Sequence, residues 1–407
     1  MRSFVASISI SALIAVAAMS TQTTAAQTFA VIHNFTGGQD GANPVAGPTI
    51  GGSGTLYGTT SSGGLHGGGV VFKMKQSAGG WALTPLYEFS GGSDGLAPFA
   101  GVVIGSNGAL YGTTQSGGTE GGGTVFELTP PPNVCGRVLC LWNETVLHTF
   151  TGGSDGLGPA FGNLVFDQLG NVYGTTQYGG GTGCDRQGCG VVFKLVPSGG
   201  RWTESILHSF GSGNDGQYPL GGVIFDSAGN LYGTTEQGGS DVGGTVFKLS
   251  SSGGAWLEDI VFNFSTGFDC DNDTGCAPAG TLVIDQFGNL YGTTQGGSAF
   301  ELTPSNGSWN FSTLSFFCCQ PVAGLTMDPA GTLYGVSIAG GAYGNGMLFK
   351  LTNSGGRWTI TDLHDFTGSS DGGAPYGAVV LDDSGNLYGT TYVGGTYNYG
   401  VVWESTP

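Results

Sequence analysis

The sequence predicts an all-β fold, a seven-bladed β-propeller with four antiparallel strands per blade. Three observations carry this expectation. A Leu-Tyr-Gly-Thr-Thr phrase or close variant recurs, with its tyrosine at Tyr57, Tyr111, Tyr173, Tyr232, Tyr291, Tyr334 and Tyr388. Proline, aspartate, phenylalanine and tryptophan keep nearly constant offsets around it, the mark of one repeated unit. No segment shows helical periodicity.

Each strand of the unit follows from a local signal. A proline (Pro44, Pro98, Pro159, Pro219, Pro278, Pro321, Pro375) is read as opening the first strand, where a missing N–H is tolerated. An Asp-x-x-Gly-Asn turn follows, with Asp167, Asp226, Asp285, Asp328 or Asp382 six residues ahead of the tyrosine and Gly51 and Gly105 in the first two units. Asp bonds the backbone and Gly supplies positive φ, so the constant offset predicts a hairpin of fixed register. The third strand carries Phe72, Phe126, Phe193, Phe247, Phe300, Phe349 and Trp403. The fourth starts after a Ser-Gly-Gly-x-Trp turn and ends in Phe, from Trp81/Phe89 to Trp358/Phe366. An isolated fourth strand at 28–35 and a final third strand at 400–405 predict that pairing of the N-terminal strand with the C-terminal blade closes the ring. A blade hides both faces only against its neighbours, which favours a propeller over a solenoid or a twin-domain sandwich.

Composition bounds the rest. The 82 glycines and 16 prolines among 407 residues approach a low-complexity chain, but 39% hydrophobic and 11% aromatic residues exclude disorder. Only 9% of residues are charged, which leaves the surface to Gly, Ser, Thr and Asn loops. A net charge of -18 with ten Lys+Arg excludes binding to a nucleic-acid backbone. Residues 1–26 read as a signal peptide: Arg2, an apolar stretch at 4–18 too short to span a bilayer, then Thr24-Ala25-Ala26, with cleavage near Ser20 as the alternative. Residues 27–407 read as a single propeller with no membrane span or anchor. The expected location is outside the cytoplasm, extracellular or periplasmic. In that setting three local disulfides are expected, Cys135 with Cys140, Cys184 with Cys189 and Cys270 with Cys276, while Cys318-Cys319 is compatible with a vicinal bridge or free thiols.

The unit resembles the GloVer tandem repeat, the Gloeobacter/Verrucomicrobium type of exported bacterial proteins. The residues carrying this are the Gly-Asn-Leu-Tyr-Gly-Thr-Thr segments, the Gly-Gly-x-Val-Phe-Lys-Leu runs and the Phe-x-Gly-x-x-Asp-Gly loops, across residues 29–404. Many members carry a C-terminal anchor, which is not expected in this chain. The resemblance implies no established activity. More distantly, the Pro…Asp-x-x-Gly-Asn-Leu-Tyr pattern is similar to NHL and gluconolactonase-like propellers. That similarity implies a channel lined by the strand after the proline, with calcium bound there in some members.

The candidate chemistry is sparse. Asp40, Asp94, Asp155, Asp215 and Asp371 recur in the loop between fourth and first strands, where they could form an acidic ring on the ligand face or bond backbone amides and fix the turn. Asp269, Asp271 and Asp273 alternate on one loop, a pattern that suits calcium, although the glycine is displaced and no bidentate glutamate follows. Gly-x-Ser-x-Gly matches such as 91–95 fall in β-loops, so no catalytic serine is expected. His33, His148, His208 and His364 share one position in the outermost strand, far from the channel, and read as packing residues. No unique cluster of His, Glu, Lys or Arg stands out. The expected function is an exported, non-catalytic binding or scaffold module recognising a surface glycan or protein. The alternative is a calcium-dependent lactonase or esterase-type hydrolase with its metal in the central channel. No cofactor other than calcium is suggested.

Overall fold

The computed structural model describes residues 28–131, 141–159, 161–181, 183–184, 186–211, 213–265, 276–316 and 320–407. They form the seven antiparallel sheets of a β-propeller. Blade 1 shows the plan, in order from the axis outward. A two-residue innermost strand (Thr49–Ile50) pairs with the strand bearing the repeated phrase (Leu56–Thr60), then come a third strand (Val70–Ser77) and an outermost one (Gly80–Glu88). Blade 4 adds a two-residue pair, Gly216–Gln217 with Gln237–Gly238. No helix among the described residues is long and apolar enough to cross a membrane.

Both ends of the chain build blade 7. Its outermost strand, Thr28–Asn34, pairs antiparallel with Val401–Thr406, so that Val31 faces Trp403 and Phe29 faces Ser405. The expected ring closure is therefore present. The expected signal peptide falls within residues 1–27, outside the described residues.

The repeated phrase is explained residue by residue. Tyr173 Oη donates to Asp167 Oδ2 at 2.9 Å, and Asp167 Oδ1 accepts from the Leu169 and Asn171 amides, so the aspartate locks the hairpin turn. The same tyrosine-to-aspartate bond recurs at Tyr232, Tyr291, Tyr334 and Tyr388. Where Gly51 and Gly105 replace the aspartate, the tyrosine ring covers the glycine, and a Cβ there would sit 2.6 Å from it. The glycine after the tyrosine is required because the third-strand aromatic lies on it: a Cβ on Gly58 would approach Phe72 Cζ to 2.4 Å. The first threonine crosses to the next blade, as Thr59 Oγ1 donates to Ala100 O at 2.9 Å. The second closes the following loop, Thr60 donating to Ser62 O at 3.0 Å and accepting from Val70 N at 3.1 Å.

The prolines do not open the paired strands. Pro98 precedes the innermost strand Val103–Ile104 by five residues. Its ring packs on the preceding blade instead, where a Cβ on Gly69 would meet Pro98 Cδ at 2.7 Å. The residue before it, Ala97, is left-handed (φ 57) and donates back to Gly68 O at 2.9 Å. Left-handed backbone costs a non-glycine residue about 1–2 kcal/mol. It recurs at Asn43, Tyr218, Ala277 and Ala374, so this strain belongs to the step between blades.

The disulfide expectation is met with both cysteines in view at one place. Cys184 and Cys189 are bonded, with Cα atoms 5.3 Å apart. The other two expected bridges reach beyond the described residues. Cys140 and its expected partner Cys135 both lie outside the described residues, so no bridge is assigned there. Cys276 is 7% exposed and disulfide-bonded, but its expected partner, Cys270, lies outside the described residues.

The core is distributed in seven layers, each shared by two adjacent blades. In one, Val125 and Phe150 of blade 2 meet Leu164, Val172 and Phe193 of blade 3. Each outermost-strand tryptophan reaches back edge-on to the preceding blade's tyrosine, with centroids 5.8 to 6.4 Å apart. Among the described residues every one of these layers draws on two blades, so cohesion depends on the closed ring.

Candidate functional site

The loops after the second and fourth strands meet on one face of the ring, for example where Gly64 N donates to Gly38 O at 2.7 Å. The five loop aspartates lie here, each engaged with its own loop. Asp40 accepts from Thr36 N at 2.9 Å and from the Thr36 hydroxyl, and it contacts His33 Nε2 at 3.0 Å. Asp94 accepts from Ser90 N at 2.7 Å and Tyr87 Oη at 3.2 Å. Asp155 accepts from Thr151 N at 2.8 Å, Asp215 from Gly211 N at 2.8 Å and Asp371 from Thr367 N at 3.1 Å. Burial alone would raise the Asp40 pKa, but the bond to His33 and the Thr36 donors outweigh it and hold the carboxyl below its usual range.

The centre of this face is chemically different. The segments after the prolines converge on the axis with little room between them: a Cβ on Gly377 would sit 2.0 Å from Gly47 N, and one on Gly221 2.8 Å from Gly280 O. An axial cavity of about 250 Å³ remains, and its described lining includes Asn163, Thr281 and Thr326 but no carboxylate or imidazole. At its mouth lies a second cavity of about 280 Å³, lined by Phe161, Leu220, Gln295, Gln320, Val322, Ile338 and Tyr376, among others. Phe161 is 41% exposed and stacks on Phe99, with centroids 5.5 Å apart and planes 13° off parallel. Tyr376 packs edge-on against Tyr392 at 5.5 Å. Leu65, Tyr343, Tyr397 and Tyr399, in the loops after the second strands of blades 1, 6 and 7, are also exposed.

The outer rim holds titratable groups that meet only between blades. His148 Nε2, of blade 2, lies 3.6 Å from Asp155 Oδ2 and 3.4 Å from Glu204 Oε1 of blade 3. His208 Nε2, of blade 3, lies 3.3 Å from Asp215 Oδ2 and 3.5 Å from Glu258 Oε2 of blade 4. Burial, with a contribution from the Asp155 charge, pushes Glu204 up to about 8. Burial likewise lifts Glu258 to about 7, where His208 opposes the rise and Asp215 adds to it. Glu144 is raised to about 7 by burial and then by Asp94. The two imidazoles divide: burial prevails at His148 and lowers its pKa, whereas at His208 the hydrogen bond to Asp215 and the carboxylate charges overcome burial and raise it.

The Gloeobacter/Verrucomicrobia repeat family model matches residues 17–183, 141–317 and 295–407. The chain belongs to this family. No curated protein matches its sequence. Among solved structures it is similar to a candidate 6-phosphogluconolactonase from Bacteroides uniformis (15% identity, covering 82% of this chain and 88% of that one, TM-score 0.50). It is also similar to the WD40 β-propeller domain of Doa1 (10% identity, covering 90% and 97%, TM-score 0.53). At such identities these likenesses show the propeller fold alone.

In this Gloeobacter/Verrucomicrobia repeat protein the acidic loop of Asp269, Asp271 and Asp273 lies outside the described residues, as does the Cys318-Cys319 pair. The histidines occupy the outermost strands as expected and pack edge-on against the following phenylalanine, as His148 does on Phe150 at 4.6 Å. Each has an aspartate seven residues on, a spacing that repeats, but the glutamate partners come from the next blade and were not legible within the unit. One signal was present: glutamate stands two residues after Trp142, Trp202 and Trp256, in three consecutive units, where other units have Leu83, Phe311 and Ile360.

Proposed function

We propose that this protein is an exported, non-catalytic binding module that recognises a surface glycan at the mouth of its channel. The observation that carries the reading is Phe161, stacked on Phe99 and lining the recess together with Gln295 and Gln320. An aromatic face takes the C–H face of a pyranose, and neighbouring amides take its hydroxyls, the usual division of labour in a mostly apolar recess. A volume of about 280 Å³ lies just below the roughly 300 Å³ lower bound of ordinary small-molecule pockets, which suits one sugar unit of a longer chain. The loop aspartates support the reading by shaping the loops around this recess. The hydrolase alternative finds no ligand set for a metal in the described channel lining.

The test is retention of the purified mature protein on immobilised bacterial polysaccharides, with product release and lactone and ester hydrolysis followed in the same samples. Retention without turnover supports a glycan-binding module. Turnover revives the hydrolase. Binding only to a surface protein transfers the same face to a protein partner.

A further inference from the structure

We propose that the boundaries between blades 2 and 3 and between blades 3 and 4 each carry a zinc-type divalent metal site, built by His148, Asp155 and Glu204 at one and His208, Asp215 and Glu258 at the other. In each set one nitrogen and two carboxylate oxygens lie within 4.8 Å of one another. One imidazole with two carboxylates suits a borderline cation such as Zn²⁺, whereas calcium needs six to eight oxygens. A tetrahedral ion with bonds of about 2.0–2.1 Å places its ligand atoms roughly 3.3 Å apart. The observed separations from the imidazole nitrogens, 3.6 and 3.4 Å at one site and 3.3 and 3.5 Å at the other, lie at or slightly above that value.

The repeat supplies its own controls. Where Leu83 or Phe29 stands in place of the glutamate, the histidine closes directly on its aspartate, at 3.0 Å for His33–Asp40 and 3.1 Å for His364–Asp371. Addition of the glutamate goes with opening of the pair. A second observation points to a ligand at the first site: His148 Nε2 and Glu204 Oε1, the two atoms that face each other there, are buried without a hydrogen-bond partner. Burial of two carboxylates against one imidazole is costly in the absence of a cation, and a dication removes that cost. Between blades 1 and 2, Tyr87 replaces the histidine beside Asp94 and Glu144, so that boundary has the carboxylates without the nitrogen. The sites lie on the outer rim, where adjacent sheets share no strand pairing, and each would staple two outermost strands. This inference is independent of the glycan reading.

The experiment uses untagged mature protein stripped with EDTA and dialysed, then titrated with Zn²⁺ by calorimetry and with Co²⁺ by visible absorption. Two equivalents of Zn²⁺ are expected, with a rise in melting temperature and the visible bands of low-coordinate Co²⁺. Glu204→Leu and Glu258→Leu copy the side chain that blade 1 carries at this position, so folding is retained. Each is expected to remove one equivalent, and the double variant both. Zinc binding of unchanged stoichiometry in the double variant would place the metal elsewhere, for example at cysteines, and would overturn the proposal. Absence of zinc binding by the stripped wild-type protein would overturn it as well.

Discussion

Glu204 and His148 belong to different blades, yet Glu204 Oε1 lies 3.4 Å from His148 Nε2. The contact exists only because the ring sets one outermost strand beside the next. It joins the fold to the chemistry of the rim, since the propeller stacking that buries Phe150 and Phe193 also draws these ionisable groups out of water.

This burial gives stability a defined pH dependence. Glu144, Glu204 and Glu258 are raised to about 7, 8 and 7, so the folded chain holds protons that the unfolded chain has released above its ordinary glutamate pKa. Their contribution is complete at low pH and is lost as pH rises through the folded values. The raised pKa of His208 acts in the same sense above 6.5, while the lowered pKa of His148 acts only below 6.5. Between pH 6.5 and 8, in EDTA, the melting temperature is expected to fall, and Glu204→Gln is expected to flatten that slope. An unchanged slope in Glu204→Gln would contradict the assignment.

The clasp predicts a global effect from a terminal edit. Phe35 is fully buried and packs edge-on against Phe72 of blade 1 with centroids 5.4 Å apart. Phe35→Ala is expected to cost about 3–5 kcal/mol in denaturant unfolding. Removal of residues 27–34 takes away the outermost strand of blade 7 and is expected to lower the melting temperature of the whole ring in one transition. A truncated chain that melts with the full-length protein would refute closure by the clasp.

The repeated phrase predicts a local cost at each blade. Asp167→Ala leaves the Tyr173 hydroxyl and the Leu169 and Asn171 amides without their acceptor, and is expected to destabilise by about 1–3 kcal/mol. Gly174→Ala sets a Cβ 2.6 Å from Phe193 Cζ and 2.9 Å from Leu164 Cδ2, an overpacking expected to cost about 1–3 kcal/mol. Chemical denaturation of both variants checks these values.

Particular residues show what the sequence could reveal. Tyr173, Asp167, Phe193 and Trp202 recur at fixed offsets because their partners lie within a blade or one blade away, so spacing reports the contact. Pro98 kept its spacing too, but its constraint comes from Gly69 of the preceding blade, and the paired strand begins five residues later than the proline suggested. His148 and Glu204 meet only through ring geometry, which no linear pattern displays. The recess is also a product of convergence: Phe161, Gln295 and Tyr376 come from three blades and occupy positions where the units differ from one another.

The most direct test of the account is the affinity of a glycan retained by the wild-type protein, compared with its affinity for Phe161→Ala. Phe161 is 41% exposed, so the variant is expected to keep its melting temperature while losing about tenfold or more in affinity, roughly 1.4 kcal/mol. Wild-type affinity in a folded Phe161→Ala protein would contradict recognition at the channel mouth.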